Sequence, residues 1–144
     1  MGSAENQQSI NMKREVTGTI EEVILRSTNA LQEQGFGILT RIDLHLKIKE
    51  KLGKEISPTV ILGACNPALA FEAYSANSDV TSVLPCNAVI RELKPGRISV
   101  ELARPTALME ILHDDKLKLL AKTADRKLEA VLEGLSQKLA PQVL

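Results

Sequence analysis

The sequence predicts a single α+β domain: a sheet of about four to five strands, backed by helices and followed by a long C-terminal helix. Three observations carry this reading. The nearly unbroken apolar run "PTVILGAC" leads directly into an alanine-rich helical stretch. Residues 87–103 hold two alternating segments about "KPG", the pattern of a β-hairpin. From Pro105 onward the chain reads as helical, with an apolar stripe that runs from Leu117 through Ala124, Leu128 and Leu135 to Leu139.

A chain of 144 residues buries roughly two-thirds of its unfolded surface and needs neither metal nor disulfide to fold. The polar opening "MGSAENQQSI", residues 1–10, is expected to be disordered or an expression remnant, which leaves 11–144 as the domain. With 18 Lys and Arg against 18 Asp and Glu, the footprint of a general nucleic-acid binder is missing. Phe36, Phe71 and Tyr74 are the whole aromatic inventory, too few for base-stacking platforms. No apolar run is long enough to cross a bilayer, and the start lacks a signal-peptide core. The expected location is therefore cytoplasmic, with Cys65 and Cys86 as free thiols.

Taken in order, Thr19 and Glu22 form a capping box for a helix over 19–34, in which Ile20, Val23, Ile24 and Leu31 recur at helical spacing. Gly35 stops it. "FGILTRID" then alternates as a strand, with Phe36, Ile38 and Ile42 expected on one side and Arg41 and Asp43 on the other. Residues 43–52 fit both periods, and the closing "KEKLG" favours a helix. After the strand at 59–65, Asn66 supplies an N-cap and Pro67 the first residue of a helix over 67–76. The alanines at 68, 70, 73 and 76 would let it lie close to the sheet. Pro95-Gly96 suits a type II turn, and Ile98, Val100 and Leu102 oppose Ser99 and Glu101, so one sheet face is covered and the other at least partly wet. Asp114 or Asp115 caps the last helix.

Cys65 immediately precedes an N-cap, where the positive helix end could hold a thiolate; the apolar run before it favours burial as a small hydrophobe. Cys86 opens a strand. With parallel strands the two sulfurs would sit at opposite sheet edges, roughly 15 to 20 Å apart; an extended path through 77–84 would return Cys86 to Cys65, and spacing alone does not choose. Only His45 and His113 could join them as metal ligands, and neither Cys-x-x-Cys nor His-x-x-x-His occurs, so no metal is expected. His45 reads as a helix-surface residue and His113 as a helix-end charge. Serine-hydrolase and phosphate-loop signatures are missing, "GFG" at 35–37 lacks the third glycine of a dinucleotide loop, and no cofactor is expected.

The ordered motifs "EQGFGILTRIDL", "KEKLG", "VILGACNPALAFEA" and "VLPCNAVI" resemble the bacterial and archaeal family known as domain of unknown function 302, from about Glu15 to Leu135. The motif positions are Gly35, Phe36, Gly63, Cys65, Asn66, Pro67, Leu84, Pro85, Cys86 and Asn87. Membership implies a small α+β domain with a mainly antiparallel sheet, pairing as a homodimer, in which the two cysteines could be neighbours. Thr59 stands where the family often has an aromatic residue and Arg104 where an acidic one is common, departures that bear on any pocket using those positions.

Three functions fit. The first is a homodimeric domain binding an unidentified small molecule at Cys65, Asn66, Pro67, Cys86 and Asn87, with the asparagines giving hydrogen bonds. The second is a thiol protein in which Cys65 and Cys86 are candidate catalytic, redox or soft-metal residues. The third is a structural or interaction module in which both motifs only fix turns. Nucleic-acid and membrane partners belong to none of them.

Overall fold

The structure, a computed structural model, describes residues 9–139, with side chains over 9–135. Residues 1–8 and the side chain of Leu139 lie outside that description. Five strands, β1 (Asn11–Thr17), β2 (Gly37–Asp43), β3 (Thr59–Cys65), β4 (Cys86–Lys94) and β5 (Arg97–Ala103), form one antiparallel sheet in the order β1-β5-β4-β3-β2. The helices are α1 (Ile20–Glu33), α2 (Leu44–Leu52), α3 (Pro67–Ala76), α4 (Pro105–Met109) and α5 (Asp115–Leu139), with 3-10 turns at Ser78–Val83 and Glu110–Leu112. The α+β architecture expected from the sequence is the one observed.

Strand β1 had no reading of its own in the sequence. Only Met12 and Val16 of its seven residues are buried, so its alternation is dilute, and its place at the sheet edge comes from pairing along the whole of β5.

α1 starts as its capping box requires. Thr19 Oγ1 accepts from the Glu22 N–H at 3.1 Å, and Glu22 Oε1 accepts from the Thr19 N–H at 3.0 Å. Together α1 and α5 cover one sheet face. Val23, Leu31, Leu128, Val131 and Leu135 interlock there with Leu62, Ile90, Ile98, Val100 and Leu102. The C-terminal stripe thus packs on its own sheet from Ala124 to Leu135. Of the two capping candidates, Asp114 does the work: its Oδ1 accepts from the N–H groups of Lys116 at 2.9 Å and Leu117 at 3.1 Å.

The alternation expected in β2 is broken by a bulge between Ile38 and Thr40. Ile38 pairs with Ala64 and packs on the core, whereas Ile42 pairs with Ile61 and is exposed on the other face. Arg41 is thereby turned to the helical side. Its guanidinium donates to Glu21 of α1 at 3.0 Å and to both oxygens of Asp43 at 2.9 and 3.1 Å.

On the sheet face opposite α1 and α5, Ser99 and Glu101 are buried, at 4% and 5% exposure. Glu101 accepts from Arg91 Nε at 3.2 Å and Nη2 at 3.0 Å, and from Ser99 Oγ at 3.0 Å. The bidentate guanidinium holds its carboxyl below the usual range, because it favours the ionised form. On this face the Glu101 carboxylate is shielded while its partner Arg91 stays partly exposed, so the face is partly wet with one buried acid within it.

Candidate functional site

β3 and β4 end side by side. Ala64 lies opposite Cys86, and Cys65 closes β3 opposite Gly37. After α3, the 3-10 turn and Leu84-Pro85 bring the chain back to the end of β3, so the antiparallel path is the one taken. Both cysteines are free thiols and both line one cavity.

That cavity, about 50 Å³, lies at the seam between two apolar clusters. Phe36, Ala64 and Ala124 belong to the main core; Ala73, Met109, Leu117 and Ala121 belong to a smaller cluster built from α3, the 3-10 turn, α4 and the start of α5. Its origin is compositional. Five alanines, at 64, 70, 73, 121 and 124, face a space that larger side chains would fill. The alanines of α3 were expected to bring that helix onto the sheet; instead it packs against α5 and the 3-10 turn, with Ala73 its one buried residue. Phe71 and Tyr74 point outward, at 72% and 55% exposure.

The wall offers little polarity. Cys86 is buried, and burial first, then the neighbouring Cys65 and Asp125, push its thiol up to about 11, so it is protonated at neutral pH. Cys65 is half-buried. Asn66 is committed to the turn: its Oδ1 accepts from the Leu69 N–H at 3.2 Å, and its Nδ2 donates to Gln34 O at 3.4 Å, at the end of α1. The segments "QGF" and "CNP" are thereby tied to each other. Gly35 has φ +88°, and a Cβ there would stand 2.9 Å from Asn66 Nδ2.

The remaining motif residues do not all reach the cavity. Pro67 is the first residue of α3 and does not line the wall. Asn87 is exposed and lines a separate groove of about 530 Å³, together with Asn11, Ser82, Pro85 and Val89. The structure therefore brings Cys65, Asn66 and Cys86 to one cavity and places Asn87 at another. Gly63 explains the link between "GACNP" and "LPCN": a Cβ there would collide with Thr40 Oγ1 and stand 2.9 Å from Pro85 Cγ.

Neither histidine reaches the cavity. His45 Nδ1 lies 3.1 Å from both the N and the O of Thr59, serving backbone groups of β3 that β2 leaves when it turns into α2. His113 ends the second 3-10 turn in a left-handed conformation. Among the described residues no group of three or more His, Cys, Asp or Glu side chains converges. Thr59 donates its hydroxyl to Ser57 O at 2.9 Å, and Arg104 faces Asp125 and Glu129 at 3.9 and 4.0 Å, both away from the cavity wall. Sequence reasoning missed the far wall. Leu117 read only as a stripe residue and Met109 and Ala121 were not singled out, because nothing in their spacing says that α3 would pack opposite them.

A family model described as "Domain of unknown function DUF302" matches residues 12–135. A crystal structure of an uncharacterized conserved DUF302 protein from Bacillus stearothermophilus is similar to the chain. It is 29% identical in sequence, with a TM-score of 0.82, over 89% of this chain and 99% of that one. Comparison with curated proteins finds no match.

Proposed function

The chain belongs to the DUF302 family, and on that premise we propose that it is a small-ligand-binding domain whose site is the cavity at the seam of its two apolar clusters. One observation carries the reading: in an otherwise interlocked interior, space remains where both cysteine motifs meet. The ligand this wall suits is small, uncharged and polarizable. Asn66, the one amide in the wall, already bonds protein groups, so a ligand with many hydrogen-bonding groups would lose water contacts without replacement. Asn66 and Pro67 serve in this reading to shape the turn after Cys65, while Asn87, on the neighbouring groove, takes no part in the cavity. The homodimer implied by the family resemblance and the cytoplasmic location expected from composition are part of the same proposal. Among the described residues no helix is long and apolar enough to cross a membrane.

The test is amide chemical-shift mapping with small apolar probe molecules, comparing the native chain with Ala121→Leu. Saturable shifts confined to the surroundings of Cys65, Ala73 and Ala121, lost in the filled variant, are the expected result. Equal shifts in both proteins would place binding elsewhere and overturn the reading.

A second reading, thiol chemistry, is favoured by the presence of both cysteines in the lining of one cavity. It is disfavoured in its nucleophile-and-resolving-thiol form by the protonated state of Cys86.

A further inference from the structure

Where β4 begins and β5 ends, the sheet carries a second and larger hollow. The β4–β5 pairing stops at Ala88 and Leu102, whereas β5 runs on to Ala103, which pairs with Asn11 of β1. Asn11, Ala103 and Asn87 therefore follow one another across the sheet face opposite α1 and α5, with about 10 Å between the backbones that carry the two asparagines. With Ser82 from the 3-10 turn, they line the groove of about 530 Å³. Among the described residues it shares only Leu84 with the cavity between the apolar clusters. We infer that this groove is a separate binding site for a small uncharged amide, held between the carboxamides of Asn11 and Asn87 over the methyl group of Ala103.

The lining decides the class. Its polar side chains, Asn11, Ser82 and Asn87, come from three separate elements, and the other described lining residues are apolar. A few convergent polar groups in an apolar hollow of this size are the make-up of a small-molecule site. The groups are also available. Among the described residues neither the Asn87 carboxamide nor the Ser82 hydroxyl has a hydrogen-bond partner. Asn11 is oriented from behind: its Nδ2 donates to Glu101 Oε1 at 3.5 Å, which leaves its Oδ1 to accept an N–H from the ligand. Asn87 both donates and accepts, so it complements the C=O and N–H of an amide. A charged ligand fits poorly, because no Lys, Arg, His, Asp or Glu lines the groove to replace its lost hydration. Glu101, behind Asn11, is already paired with Arg91 and draws no cation.

The experiment is an amide chemical-shift titration of the native chain with N-acetyl-leucinamide, an uncharged probe with two amide groups and an apolar side chain, and with N-acetyl-leucine as its charged counterpart. Saturable shifts around Asn11, Ser82, Asn87 and Val89 are expected with the amide. Asn87→Ala, at an exposed position, should weaken that binding about tenfold, and the carboxylate should bind weaker than the amide by a similar factor. Ala103→Leu, which fills the floor, should abolish it. No saturable shift in the native chain, native affinity in either variant, or equal binding of the carboxylate would overturn the inference. Ala121→Leu, which fills the cavity, separates the two sites: amide binding is expected to persist in it, and its loss there would assign the shifts to the cavity and remove the groove site.

Discussion

Gly35 is the position where one added carbon meets two obstacles, a left-handed backbone and the Asn66 amide at 2.9 Å. Gly35→Ala is expected to cost about 1–3 kcal/mol in chemical denaturation. Asn66→Ala, which removes the N-cap bond and the tie to Gln34, should cost about 1–2 kcal/mol. Cys86 has a distinct pH signature. Its folded value is raised from 9.0 to about 11, so the folded state holds the proton more tightly than the unfolded one. The stability this brings is full below pH 9 and is lost as pH rises toward about 11. Denaturation midpoints measured across that window should fall in the native chain and fall less in Cys86→Ala. Glu101 behaves oppositely: its folded value is depressed by Arg91, so its contribution is present above the ordinary value of 4.5 and is lost on acidification below it. Glu101→Gln should flatten the acid limb. At this scale the sequence was informative about turns and silent about burial. Asn66 as N-cap and Gly35 as helix stop follow from local chemistry. The shielding of Glu101 depends on Arg91 from the neighbouring strand, a partner that alternation within β5 does not reveal.

Elements differ in how firmly they are held. α5 is anchored by Leu128, 2% exposed, while Leu119 on the same helix is 65% exposed. Leu128→Ala should cost about 2–5 kcal/mol and Leu119→Ala within about 0.5 kcal/mol of nothing. α2 is the opposite case, a nine-residue helix with no buried residue. Its amides should exchange with solvent through low-energy local opening, well before those of α1 or β5, in native-state hydrogen exchange. Helices with caps and long stripes were legible because their signals are local; α1 matches its reading almost to the residue. β1 was not legible, because an edge strand with two buried residues owes its existence to the partner it pairs with. The side chains of β2 were misassigned because a bulge inserts a residue that alternation cannot anticipate.

Over the whole molecule, the sheet and its two covering helices form one core, and α3, α4 and the start of α5 form a second, smaller one. The cavity exists because these bodies meet through alanines. Its cysteine wall was foreshadowed by the motifs, but its helical wall was not, since the approach of α3 to α5 is set by the return path through residues 77–85 rather than by either helix's own pattern. The most direct test of the central claim is a crystal structure of the native chain under xenon pressure, because small dry apolar cavities take up xenon. The account predicts xenon between α3 and α5, against Cys65 and Cys86, and none there in Ala121→Leu. Xenon found only in other places, with this seam closed by its neighbours, would contradict it.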